Sequence, residues 1–103
     1  DKTNWREMLK NNTNDIDLEK ERLKCINYLP VDVKKYIDNN IETYKILYPV
    51  NKYPETPKSL NIIKREKFTG KLIGLKGQYL IFEDGTVFNV RSNEGVVVNI
   101  TVN

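Results

Sequence analysis

Asp15, Asp17, Glu19 and Glu21 place four carboxylates at alternate positions, and a hard cation is bound by oxygens of this kind. On a helix, however, Asp15 and Glu19 share one face while Asp17 and Glu21 share another. No glycine-bearing calcium loop follows them. The four read better as the acidic opening turns of a helix, where negative side chains complement the macrodipole. Glu83, Asp84 and Glu94 offer a second set of carboxylates for acid–base work. A turn aspartate and exposed loop glutamates account for them without chemistry. Cys25 is the only thiol. It sits on an apolar helical stripe with no basic neighbour fixed beside it to make a thiolate. Gly70, Gly74, Gly77, Gly85 and Gly95 match neither a dinucleotide-binding nor a Walker pattern, and turn and bulge duty suffices for them.

One grouping has a positive reading. Lys64, Arg65, Lys67, Lys71 and Arg91, with Lys76 and Tyr79 near them in the chain, could contact a nucleic acid. Phosphates are held by clustered Lys and Arg, and bases stack on aromatic rings. Residues 1–42 carry eight basic and nine acidic side chains, whereas residues 43–103 carry nine and five, so the second part is positive by four. The same residues also read as ordinary surface lysines of a β-domain.

The composition removes most other chemistry. The 103 residues include no histidine, so the usual neutral-pH base and the commonest metal ligand are both missing. Neither a Ser-His-Asp nor a Cys-His arrangement can be built. One cysteine excludes a disulfide framework and a multi-cysteine zinc site within the chain. No apolar run approaches the ~20 residues that span a bilayer. The expectation is a segment that is not an enzyme, uses no cofactor and contacts no membrane. A free thiol and no secretory apolar region favour the cytoplasm.

The elements that would position these residues follow from periodicity. Asn4 can cap a short helix in which Glu7 closes a capping box and Trp5, Met8 and Leu9 share a face. A second helix starts near Asn14 or Asp15, lines up Leu18, Cys25 and Leu29, and stops before Pro30. Pro30 opens a third helix running from Val31 to about Asn39. Beyond residue 42 the pattern turns to strands: Thr43–Tyr48, Ser59–Lys64, two hairpins around Lys76-Gly77 and Asp84-Gly85, and a terminal strand alternating from Val96 to Val102. Pro49, Pro54 and Pro57 hold the stretch between extended and out of central sheet positions.

If both turns are two-residue loops, Leu75 pairs with Gln78, Gly74 with Tyr79, Leu72 with Ile81, Phe82 with Val87 and Ile81 with Phe88. One face then carries Leu72, Tyr79, Ile81, Phe88 and Val90. The other carries Ile73, Leu75, Leu80, Phe82 and Val87, with Lys71 and Arg91. Gln78–Glu83 is apolar on both faces and should be central.

The run Gly70–Arg91, GKLIGLKGQYLIFEDGTVFNVR, resembles the C-terminal end of an uncharacterised bacterial family known only as a domain of unknown function. Asp1–Lys10 and Tyr48-Pro49-Val50 followed by Tyr53-Pro54 resemble it too, so the likeness covers most of the chain. Val96-Val97 departs from it, standing where the family pattern has an aromatic residue. Longer members resemble a zinc-ribbon-like segment plus a GIY-YIG-nuclease-like core placed upstream. The resemblance implies a C-terminal fragment, with zinc ligands and catalytic residues before Asp1, and a DNA- or RNA-linked context.

The expected fold is α+β: two or three short N-terminal helices over residues 1–42, packing on an antiparallel meander of four to six strands over 43–103, open or partly closed into a barrel. The expected function is a non-catalytic accessory domain that contacts DNA or RNA through Lys64, Arg65, Lys67, Lys71 and Arg91. The alternative is a docking module for a protein or for its own N-terminal region. An exposed patch around Leu75, Leu80 and Phe82 favours docking, and a continuous basic face favours nucleic acid.

Overall fold

The structure, a computed structural model, describes residues 3–103. Asp1 and Lys2, the start of the N-terminal motif, lie outside the described residues. The helices are α1 (Trp5–Leu9), α2 (Leu18–Asn27), α3 (Val31–Lys34) and α4 (Ile62–Arg65). The strands are β1 (Lys58–Ser59), β2 (Leu72–Lys76), β3 (Tyr79–Phe82) and β4 (Thr86–Asn89), and a single 3-10 turn spans Arg91–Asn93. They form two units, Asp1–Asn12 with Tyr48–Asn103, and Thr13–Leu47. The fold is α+β as expected, but the first helix belongs with the sheet and not with the other N-terminal helices.

The sheet of the first unit has the order β1-β4-β3-β2 and is not closed into a barrel. Its two hairpins are antiparallel, whereas β1 runs parallel to β4, so the sheet is mixed and not a pure meander. β3 is interior to it, as its two apolar faces require. Outside β2, Val50 makes an isolated antiparallel bridge to Gly74, and a Cβ on Gly74 would stand 2.9 Å from both Val50 methyls. That close approach is what the glycine permits.

Both hairpin registers differ from the sequence expectation, the first by two residues in pairing and the second by one. Lys76 pairs with Tyr79, Gly74 with Ile81 and Ile81 with Val87. The first loop is Gly77-Gln78, with Gly77 at φ +56 in the first central position, as a type II′ turn demands. In the second, the Gly85 N–H bonds to the Phe82 carbonyl and Gly85 takes φ +86, a type I turn followed by a left-handed bulge residue. The one-residue slip of the second hairpin exchanges Val87 and Phe88 between faces, while the two-residue shift of the first keeps the faces and adds Lys76 to the strand on the side of Gly74 and Ile81. Tyr79 therefore does not lie over Gly74. It stacks on Trp5 instead, with centroids 6.1 Å apart.

Trp5, Met8 and Leu9 share the face of α1 that meets the sheet. Leu9 is fully buried with Ile81 and Val87, ringed by Trp5, Met8, Val50, Ile73 and Tyr79. Each fully buried aliphatic side chain contributes roughly 1.5–3 kcal/mol, so three of them make a small core. The capping box does not form. Asn4 makes no side-chain cap, and Glu7 accepts instead from Asn12 at 2.6 Å and Lys10 at 2.9 Å. The expected strand Ser59–Lys64 is cut short because the Asn61 side chain accepts from the Lys64 N–H and starts α4. Val96–Val102 forms no strand.

In the second unit α2 starts at Leu18 because the Asp17 carboxylate caps it, accepting from Glu19 and Lys20 N–H. α3 is one turn, shorter than the expected run to Asn39. The Arg22 guanidinium reaches both Glu19 and the Asp38 carbonyl, at 3.4 and 2.6 Å. None of residues 13–47 is buried, the Leu18–Cys25–Leu29 stripe included, and the expected strand Thr43–Tyr48 is absent.

Candidate functional site

The paired residues of the first unit sort into rows across the sheet. Gly74, Ile81, Val87 and Ser59 form one row on the α1 side, and Lys76, Tyr79 and Asn89 the next. Leu75, Leu80 and Phe88 form a row on the outward side. The five candidate basic residues are divided between the two ends of the sheet. Arg65 ends α4 with its guanidinium 5.2 Å from the Phe68 ring, which meets Phe82 edge-on. Lys71 lies at the same end of the sheet, its ammonium 3.8 Å from the Glu83 carboxylate. Lys64 and Lys67 are exposed neighbours of Arg65. Arg91 opens the 3-10 turn at the far end of β4, on the order of 13 Å from the others at about 3.3 Å per strand residue.

Asp84 stands among those cations. Its carboxylate accepts from the Thr86 N–H at 2.9 Å and from the Thr86 hydroxyl at 3.0 Å. These bonds, with weaker attraction from Lys58 and Arg65, hold its pKa below the usual carboxylate value. Because the folded-state value is lowered, the contribution to stability is present above the unfolded pKa of about 3.9. It is lost as pH falls through the folded value. Carbon-detected NMR titration should give Asp84 a depressed midpoint, and Thr86→Val should raise it part of the way back. An unchanged midpoint in the variant would discount the hydroxyl bond.

The outward row is incompletely covered. Leu75 is 43% exposed and its flanking neighbour Leu72 50%, while Leu80, Phe82 and Phe88 are half-buried. Phe68 shields the Phe82 end. No lining residue of this row was a sequence candidate for chemistry, but its exposure was named there as the mark of a docking surface.

On the opposite side a small cavity of about 110 Å³ opens beside β1. It is lined by Trp5, Ser59, Tyr79, Val87, Asn89 and Ser92. The Asn89 side-chain oxygen accepts the Ser92 N–H, and its backbone carbonyl accepts from the Ser92 hydroxyl and the Asn93 amide. Sequence reasoning missed this site, because its walls come from residues up to 87 positions apart.

Lys76, taken from the sequence as a turn residue, is buried on the α1 side at 8% exposure. Its ammonium donates to the Met8 carbonyl at 2.9 Å and to Asn11 Oδ1 at 3.3 Å, with the Tyr48 and Tyr53 rings 5.3 and 5.0 Å away. No carboxylate pairs with it among the described residues. Nor does any group of three or more Cys, Asp or Glu among the described residues converge as a metal site. Among the described residues no helix is long and apolar enough to cross a membrane.

This arrangement defines a small α+β fold with two surface features. Residues 1–98 match the family model described as Protein of unknown function (DUF2797), and the chain belongs to that family. Neither the curated proteins nor the solved structures contain a match to it.

Proposed function

We propose that the chain is a non-catalytic accessory domain that docks a polypeptide on the outward face of its sheet. The observation that carries this reading is the incompletely covered row Leu75–Leu80–Phe88, with Leu75 exposed and continued by the exposed Leu72. Cations stand at both ends, Arg65 and Lys71 at one and Arg91 at the other. The occupant that matches is a polypeptide with an apolar centre and acidic flanks, which fills the row and meets the cations at its rim. The rival nucleic-acid reading uses the same cations for phosphates. It needs them on one continuous face, whereas Glu83 and Asp84 are interleaved with Lys71 and Arg65.

A peptide-display selection tests it. The wild-type chain should enrich peptides with Leu, Ile or Phe flanked by Asp or Glu. Binding of the winners should weaken at least about tenfold in Leu75→Lys, with circular dichroism unchanged. Selection without that pattern, or winners indifferent to Leu75→Lys, would sink the docking reading. Salt-sensitive oligonucleotide binding abolished by Lys71→Glu/Arg91→Glu would replace it with the nucleic-acid one.

A further inference from the structure

The cavity beside β1 is separate from the docking row, since its sheet residues lie on the opposite face. We propose that it is a binding site for a pyrimidine base, presented by a nucleotide. Trp5 and Tyr79, stacked on each other with their planes within 15° of parallel, give it an aromatic side, and Val87 adds an apolar one. Its polar groups are specific in sense. Asn89 has committed its side-chain oxygen to the Ser92 N–H, so its amide hydrogens are the atoms left to offer. They have no partner among the described residues, and neither do the Ser59 and Tyr79 hydroxyls. The amide offers only hydrogens and the two hydroxyls can also donate, a set that suits ring carbonyls, which uracil, thymine and cytosine carry.

Size and charge narrow the ligand further. A cavity of about 150 Å³ holds a benzene ring. A volume of about 110 Å³ is smaller than that, so, open on one side, it seats part of a single six-membered ring and not the whole of a fused purine. No carboxylate lines it. The Arg6 guanidinium lies 4.3 Å from the centre of the Trp5 ring, exposed and without an ion-pair partner among the described residues. In this proposal Arg6 is the cation for the phosphate on the ribose of the seated nucleotide, since it lies against the Trp5 ring that lines the cavity.

Trp5 is the only tryptophan of the chain, so its fluorescence reports on this cavity directly. The chain would be titrated with uridine monophosphate, uridine, adenosine monophosphate and a uridine hexanucleotide. The expected result is saturable quenching by uridine monophosphate, with binding weaker by about tenfold or more for uridine and for adenosine monophosphate. Ser59→Leu, which fills the cavity from an exposed edge position, should abolish the quenching. Arg6→Ala should remove the advantage of the phosphate. A hexanucleotide that binds tighter than the mononucleotide identifies a single strand as the source of the base, and equal affinity identifies the free nucleotide. No saturable quenching at millimolar nucleotide, no preference for the pyrimidine, or quenching that survives Ser59→Leu would each overturn the site. None of these readings touches Leu75, so this proposal and the docking one fail separately.

Discussion

Replacing Lys76 by alanine is expected to lower the unfolding free energy by about 3 kcal/mol. Hydrogen bonds to a charged group contribute about 1.5–3 kcal/mol and a desolvated cation–π contact about 2. The Lys76 ammonium makes two of the former and sits beside two tyrosine rings. Against these stands the cost of burying a charge without a counter-ion. The geometry favours the bonds. Met8 ends its carbonyl on this donor, and Asn11 holds a left-handed φ of +62 with its side chain on the same ammonium. Lys76→Met separates the contributions, since it keeps the apolar stem between the tyrosines and loses only the charge. It should cost about 2 kcal/mol, leaving about 1 for the stem. Urea titration with a constant m-value is the measurement. A methionine variant as stable as the wild type would show that the buried charge is a net burden and that packing alone seats the residue.

The hidden position of Lys76 shows how far the sequence could be read. That two hairpins exist, that β3 is interior and that Trp5, Met8 and Leu9 share a face all follow from local pattern, and all are present. The register does not follow, because it hangs on which central position each turn glycine takes. Lys76-Gly77 and Gly77-Gln78 are both acceptable two-residue loops, and only the second gives Gly77 the first position of a type II′ turn. A slip of one residue carries every side chain across the sheet. At the second hairpin it brings Phe88 into line with Leu75 and Leu80, while the shift of the first loop to Gly77-Gln78 takes Lys76 out of the turn and into the strand beneath α1. The alternation at Val96–Val102 was legible and misleading. A strand needs a partner edge as well as a pattern, and that segment has none among the described residues. The cavity was illegible for another reason. Trp5, Ser59 and Asn89 meet only because β1 crosses back to lie parallel to β4, a connection no local period encodes.

Leu9→Ala is expected to cost about 3 kcal/mol, in the usual range for a fully buried leucine. A domain of this size has a total stability of about 5–15 kcal/mol, and a core of three fully buried side chains belongs at the lower end. The more informative quantity is its coupling to Lys76. Leu9 packs α1 onto Ile81 and Val87, while Lys76 ties the Met8 carbonyl at the end of the same short helix. Five residues of helix have no stability of their own, so α1 is seated by both contacts or by neither. Once either is removed and the helix leaves the sheet, the other has little left to lose. The double variant Leu9→Ala/Lys76→Met should therefore fall short of the sum of its parts by at least about 1 kcal/mol. Trp5 stands at the start of α1, stacked on Tyr79, and its emission gives an independent view of the same event. In Leu9→Ala the emission should shift to the red at lower urea than the loss of the strand signal in circular dichroism. Additive costs, or one shared transition in the variant, would mean that α1 holds its seat through Trp5 and Met8 alone. The cavity beside β1 would then keep its aromatic wall even when Leu9 is gone.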